Sequence, residues 1–295
     1  MGKIASKILA SGNGWSVRDA VCTSGPQDRP YEEQHGSFTI AAVVEGSFRY
    51  RGGRNSEVMS PGALLLGNYG RYFECGHEHG TGDRCVSFHY TPDFFERFGA
   101  RGDFPVHRVP PLAALTPWLV ETRLAVQAPE RVAIEELAYG LVGAVLGVLG
   151  KSGEVSRAAT AADERRISAT LRFIEANLAV PLPLAQLASA AKMSEFHFLR
   201  VFKQVVRVTP HQYILRARLR EAALQLKANG DDVLATALAA GFCDLSNFNH
   251  AFRTEFGVSP RIYRRRTHNA SQQTPFEHRS TSKEAGPITE ARLPF

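Results

Sequence analysis

The last hundred residues of this 295-residue chain state one pattern twice, fifty positions apart. The first copy reads Ser194-Glu-Phe-His-Phe-Leu-Arg-Val-Phe-Lys203 and then Val208-Thr-Pro-His-Gln-Tyr213. The second reads Asp244-Leu-Ser-Asn-Phe-Asn-His-Ala-Phe-Arg253 and then Val258-Ser-Pro-Arg-Ile-Tyr263. Phe198, Phe202, Val208, Pro210 and Tyr213 coincide with Phe248, Phe252, Val258, Pro260 and Tyr263. Leu184 and Ala190 fall on Leu234 and Ala240 at the same offset. A duplicated small helical unit, each copy holding a helix that starts at a polar cap, suits the reading of two stretches of one DNA groove.

Each copy resolves into two short helices and a tight turn. In the first, Leu184 to Ala191 is an Ala/Leu helix entered through Pro181 and Pro183, and Lys192-Met193 makes the turn. The Ser194 hydroxyl can accept from a free backbone N–H and so start a second helix. On it Phe198 and Phe202 share one face with Val201 and Val205, which predicts burial. Glu195, Phe196, Leu199, Arg200 and Lys203 are left pointing elsewhere. In the second copy Val233 to Ala240 is the first helix and Gly241-Phe242-Cys243 the turn, with Gly241 suited to a left-handed backbone. Asp244 caps, Phe248 and Phe252 face inward, and Leu245, Ser246, Asn247, Asn249, His250 and Arg253 stay available. Residues 210 to 228 form a long helix between the copies, with Arg216, Arg218 and Arg220 on its polar sides and Asn229-Gly230 as its stop. A rigid connection of this kind would hold two reading helices about 34 Å apart, one turn of DNA.

These residues resemble the AraC/XylS family of bacterial transcription regulators, whose C-terminal domain joins two helix-turn-helix motifs by a helix. The resemblance covers residues 164 to 266. It is most specific at Gly241-Phe242, Phe248, His250-Ala251-Phe252-Arg253, Phe256-Gly257-Val258-Ser259-Pro260 and Tyr263. Two positions depart from the family: Lys192 stands at a turn position that often holds Gly, and His250 where Arg is common. A left-handed Lys costs about 1 kcal/mol relative to Gly, which the fold can absorb. The resemblance implies an effector-responsive, sequence-specific DNA-binding regulator, an activator rather than a repressor. Double-stranded promoter DNA and RNA polymerase would be its partners, and it would act as a homodimer. By side-chain chemistry Arg200 suits guanine, Asn247 or Asn249 suits adenine, and Phe196 suits a thymine methyl. Lys203, Arg207, Arg253 and Arg261 suit phosphates.

Charge points the same way. Residues 164–266 carry 16 Lys and Arg against 8 Asp and Glu, so the +6 of the whole chain lies in this part and the remainder is slightly acidic. That is the footprint of a polyanion binder. The length suits two domains: a sensing and dimerisation domain over 1–150, a linker over 151–163 and a DNA-binding domain over 164–266. Asp163 is placed to cap a helix from Glu164 to Leu178. Residues 267–295 lack periodicity and read as a disordered tail. No stretch approaches the ~20 apolar residues a membrane helix needs. No hydrophobic leader core stands at the N-terminus, so a cytoplasmic protein with four reduced cysteines is expected.

The first half turns and alternates as sheet does. Phe38 to Val44, Ser47 to Arg51 and Ala63 to Gly67 read as strands between Gly-rich turns. The Pro61-Gly-Ala-Leu-Leu-Leu66 step resembles the cupin-like sensor domains of the same family. The fold class expected is α+β in two domains: an antiparallel cupin-like β-barrel followed by helices, then an all-α double helix-turn-helix. Inside this half lies Cys75-Gly-His77-Glu-His79-Gly-Thr-Gly-Asp-Arg-Cys85, followed by His89. A hairpin turning near residue 80 would set Cys75 opposite Cys85 and give Cys75, His77, His79, Cys85 and His89 one parity. No cofactor is fixed by the sequence. The set suits Zn²⁺ or another transition metal, a reversible disulfide, or the wall of an organic-effector pocket. It also admits an alternative from another class, a cupin-type metalloenzyme built on His77, His79 and His89. Along the helix from Val132, Gly140, Gly143, Gly147 and Gly150 form a small-residue stripe that suits either a homodimer seam or packing on the protein's own sheet.

Overall fold

The computed structural model describes residues 4–265 except 31, 54, 78–79, 81, 99–101, 130–131, 151–158 and 229–231. His79, the Asn229-Gly230 helix stop, most of the expected linker and the expected tail lie outside the described residues. The first half contains β1 (Ile4–Gly12), β2 (Trp15–Cys22), β3 (Glu32–Gln34), β4 (Phe38–Gly46), β5 (Phe48–Gly52), β6 (Asn55–Met59), β7 (Leu64–Gly67), β8 (Tyr72–Gly76), β9 (Asp83–Tyr90) and β10 (Arg108–Val109). Helix α1 (Pro92–Glu96) follows β9. A 3₁₀ turn (Ala113–Leu115), α2 (Thr116–Gln127) and α3 (Ile134–Leu149) follow β10.

The strands form two antiparallel sheets, ordered β1-β2-β9-β4-β7-β10 and β3-β8-β5-β6. Neither sheet closes on itself, so the closed barrel expected from the sequence is not formed: β1, β10, β3 and β6 remain edges among the described residues. The two sheets share an inner core of Ala41, Val43, Phe48, Tyr50, Met59, Leu65 and Cys85. The other face of the larger sheet packs on the helices, through Ile40, Leu64, Leu66, Val86 and Phe88 against Phe94, Phe95, Leu115, Leu137, Leu141 and Val145. Leucines run consecutively in β7 because both of its faces are covered, Leu65 by the second sheet and its neighbours by the helices.

The second half is helical: α4 (Ala161–Ala176), α5 (Leu184–Ala190), α6 (Glu195–Val206), α7 (Pro210–Ala228), α8 (Val233–Ala239) and α9 (Leu245–Phe256). The cap of α4 is Thr160, whose side chain accepts from the N–H of Asp163, so the helix starts before the expected cap and ends at Ala176. Its hydroxyl competes better for that role because Asp163 is already inside the first turn. Among the described residues no helix is long and apolar enough to cross a membrane. Each helical copy has its own core. Phe198, Phe202 and Tyr213 centre the first, and Phe248 and Phe252 the second. Val58 of β6 joins the first core, and Val120 and Leu124 of α2 join the second. The sheet half and the helical half thus share buried apolar surface.

Polar contacts close the same seam. Arg49 pairs with Glu164 at 3.0 Å and Arg123 with Glu221 at 3.0 Å. Ser47 and Ser168 hydroxyls lie 3.0 Å apart, and Lys227 pairs with Glu121. Within the helical half, Tyr213 donates to Glu175 at 2.7 Å. Burial raises the Glu175 carboxyl, the nearby Arg220 charge and the Tyr213 hydroxyl opposing it, and burial lifts the Tyr213 hydroxyl as well.

Candidate nucleic-acid interface and sensor cavity

The two helical copies superimpose in their hydrogen bonds, with one difference. Lys192 N–H donates to the Ser189 carbonyl and Met193 N–H to that of Ala188. Gly241 N–H and Phe242 N–H do the same to Leu238 and Ala237. That correspondence runs at forty-nine, so Ala191 and Lys192 match Ala240 and Gly241, a correction to the uniform offset of fifty. From the caps onward the offset is fifty: Phe198 N–H donates to Ser194, and Phe248 N–H to Asp244. The second copy therefore holds one extra turn residue, Cys243, before its cap. Lys192 takes φ +53° and Gly241 φ +86°, so both turns need the left-handed region whatever residue supplies it. The helix ends repeat this: Arg207 at φ +64° and Gly257 at φ +73° each donate N–H back to residue 203 or 253.

Both caps act as expected. The Ser194 hydroxyl accepts from His197 N–H at 3.4 Å, and the Asp244 carboxylate from Ser246 and Asn247 N–H at 2.9 and 3.1 Å. Burying the Phe198/Phe202 and Phe248/Phe252 faces turns the opposite faces outward. Glu195, Phe196, Leu199, Arg200 and Lys203 of α6 are exposed, Phe196 by 80%. Leu245, Ser246, Asn247, Asn249, His250 and Arg253 of α9 are exposed too. Arg200 rests one guanidinium nitrogen 3.1 Å from His197 Nδ1.

Other basic residues are committed elsewhere. Arg207, expected at a phosphate, pairs with Glu57 of β6 at 3.7 Å. Arg216 donates to the Pro111 carbonyl at 2.9 Å, and Arg218 to the Leu178 and Val180 carbonyls at 2.9 and 2.7 Å. Arg220 is buried beside Glu175 at 3.9 Å. The arginines of α7 therefore fix the frame of the helical half rather than line an outer face. Their carbonyl partners carry no sequence signal.

In the sheet half, a cavity of about 330 Å³ opens between the two sheets, lined among others by Arg18, His35, Phe73, Cys75, His77, Cys85 and His89. Strands β8 and β9 do not pair. β8 lies between β3 and β5, and β9 between β2 and β4. The expected hairpin with Cys75 opposite Cys85 is thus corrected: the chain crosses from one sheet to the other after Gly76, and parity across that crossing has no meaning. Cys75, His77, Cys85 and His89 still converge on the cavity, from opposite walls.

Their partners differ. His77 Nε2 lies 2.6 Å from Asp83 Oδ1, with both side chains nearly enclosed. His89 spends both ring nitrogens on hydroxyls, Nδ1 at 3.0 Å from Ser37 Oγ and Nε2 at 2.9 Å from Ser87 Oγ. His89 thus bonds apart from the His77–Asp83 pair, and His79, the remaining histidine of the cupin-type alternative, lies outside the described residues. Burial, with Arg18 adding to it, lowers the His89 imidazole to about 4. His35 falls to about 4 through burial and the neighbouring His89 and His107. Both rings are therefore neutral near pH 7. Burial raises the Cys75 and Cys85 thiols, and Asp83 adds to both shifts.

His35 is a cavity residue that the sequence reading passed over. Its ring stacks on Phe73 at 4.1 Å and its Nε2 lies 3.0 Å from the Tyr50 hydroxyl. A Cβ at Gly67 would fall inside that ring, so Gly67 makes its room. Cys22 and Asp83, also on the cavity wall, were likewise passed over. Pairing of β2 with β9 brings them together, and only the sheet order reveals it.

A double helix-turn-helix behind an antiparallel sheet domain defines the class of protein, a transcription regulator with an appended domain. Comparison with known proteins agrees. The helix-turn-helix domain family HTH_18 matches residues 187–266. The probable transcriptional regulator LumQ of Photobacterium leiognathi is 39% identical over 92 residues, 31% of this chain and 37% of LumQ. The HTH-type transcriptional activator AarP of Providencia stuartii is 35% identical over 98 residues, 33% of this chain and 73% of AarP. A solved AraC-type regulator from Chromobacterium violaceum is 25% identical, covering 39% of this chain and all of that one, at a TM-score of 0.34. The chain belongs to the AraC/XylS family of transcription regulators. It spans little more than a third of LumQ.

Proposed function

We propose that this protein is a cytoplasmic, non-enzymatic transcription regulator that reads two successive major-groove segments of promoter DNA with α6 and α9. The observation that carries the reading is the pair of capped helices, each with one face locked in a phenylalanine core and the other exposed. Glu195, Phe196, Leu199, Arg200 and Lys203 form one reading set, and Leu245, Ser246, Asn247, Asn249, His250 and Arg253 the other. Helix α7, 19 residues and so about 28 Å long, is the spacer. The domain division is 1–150 for sensing, 151–163 for the linker, 164–266 for DNA and 267–295 for a tail. Binding of an effector in the cavity between the sheets shifts the population competent for DNA. Trp118 of α2 fills the space beside Gly140 of α3, while Gly143 and Gly147 meet nothing within 4 Å among the described residues. That open half of the stripe is the homodimer seam of this reading. Activation through RNA polymerase is part of the same proposal.

The test is binding of the purified chain to its own upstream DNA, titrated with salt. Selective binding that weakens steeply with salt supports the reading. Equal, weak binding to every sequence would refute it.

A further inference from the structure

We propose that Cys22, His77 and Asp83, with Cys85 beside them, form a binding site for one thiophilic divalent cation of the Zn²⁺ class. A sulfur of Cys22, a ring nitrogen of His77 and a carboxylate oxygen of Asp83 all lie within 4.8 Å of one another. They come from three places: the last residue of β2, the crossing after β8 and the first residue of β9. Cys22 and Asp83 are direct cross-strand partners, so sheet register holds two of the donors together. Cys85 follows two residues along the same strand, hence on the same face, and its sulfur lies 3.7 Å from Asp83 Oδ2.

The backbone is shaped to bring the third donor in. Gly82 has φ +68°, and a Cβ there would strike the Cys22 carbonyl oxygen. A Cβ at Gly46 would strike the Gly82 carbonyl. Two glycines thus let the crossing segment press onto the end of β2. Zn–S distances of about 2.3 Å and Zn–N or Zn–O distances of about 2.0 Å put tetrahedral donors roughly 3.5 Å apart. The Cys22, His77 and Asp83 donors, within 4.8 Å of one another, stand near that spacing, and the Cys85 sulfur stands 3.7 Å from Asp83. Two sulfurs, an imidazole and one carboxylate favour Zn²⁺ over the hard cations Mg²⁺ and Ca²⁺. The donors differ from the set expected from sequence: Cys22 and Asp83 enter, and His89 leaves because hydroxyls hold both its nitrogens.

The inference deepens the sensor reading by naming a class of effector, but the binding itself does not depend on DNA. Full-length protein is titrated with Co²⁺ alone, then with Zn²⁺. The expected result is one Co²⁺ per chain with a sulfur-to-cobalt charge-transfer band that Zn²⁺ abolishes. Cys22→Ser and Asp83→Asn each weaken binding by at least about tenfold, while Cys243→Ser, an exposed thiol, changes nothing. His77→Gln retains a donor toward Asp83 and checks the site in a variant expected to fold, with circular dichroism confirming it. Absence of the band, or unchanged affinity in folded His77→Gln and Cys22→Ser, overturns the proposal. DNA binding is read on the same samples. Metal binding without any response in DNA affinity upholds the site and sinks its role as sensor. A chain that binds Co²⁺ but no DNA upholds the site and sinks the regulator reading.

Discussion

Arg108 Nη1 donates to the carbonyl oxygen of Val206 across 3.1 Å, and to that of Val205 at 3.4 Å. A residue of the last sheet strand thereby caps the C-terminal end of α6, where free carbonyls and the helix dipole favour a cation. Burial lowers the guanidinium to about 10, so it stays charged near neutrality. Among the described residues its Nε and Nη2 find no hydrogen-bond partner.

That imbalance decides what its replacement does. Arg108→Met keeps the volume and removes a poorly satisfied charge, so stability is expected within about 1 kcal/mol of the parent. Arg108→Ala empties the site and is expected to cost about 2–4 kcal/mol. Urea denaturation of both variants checks this. A larger loss in the Met variant than in the Ala variant would contradict it.

The left-handed turn of the first copy makes the opposite kind of prediction. Lys192→Gly relieves a strained φ and is expected to raise stability by up to about 1 kcal/mol. The matching position has no such room: Gly241→Ala places a methyl against the Leu178 carbonyl and is expected to lower it. Thermal unfolding of the pair shows whether the signs differ.

Base and phosphate contacts separate by assay. Arg200→Ala is expected to cost about 1–3 kcal/mol at one base pair and relax preference there. Lys203→Ala is expected to weaken binding to all sequences alike and reduce the salt slope by about one. Salt-titrated binding to a site and its single-base variants distinguishes the two patterns.

Acid should loosen the sheet half. His35 and His89 titrate at about 4 in the fold against 6.5 when free. Between those values the unfolded chain holds more protons, so stability is full above about pH 6.5 and falls as pH drops toward 4. His35 faces Tyr50, Phe73, His89 and His107, and His89 faces Ser37, Thr39, Ser87 and Arg18. His35→Phe combined with His89→Gln should flatten the denaturation midpoint across this range. An unchanged slope would rule the pair out as its source.

Much of the helical half was legible because its signals are local. Ser194 and Asp244 cap, and Phe198, Phe202, Phe248 and Phe252 repeat at helix spacing, so start, length and buried face all follow from neighbours in sequence. The sheet half was less so. Strands β4, β5 and β7 announce themselves, but which strand pairs with which depends on residues far apart. The Cys75–Cys85 hairpin failed for that reason, and Cys22 stayed hidden until β2 was seen beside β9. The α7 arginines show the same limit: a charge on a helix reads as solvent-facing unless its carbonyl partner, such as Leu178 for Arg218, is known.

Cys243, the residue that the second turn adds, makes the two copies unlike in build. Asp244 stands one residue further from its left-handed turn position than Ser194 does, so the second helix leaves its turn by a longer path. The exposed faces differ as well, with Glu195, Phe196 and Arg200 on one and Leu245, Ser246 and His250 on the other. Under the proposed function, two such faces call for half-sites of different sequence, and an operator for one chain is not a palindrome.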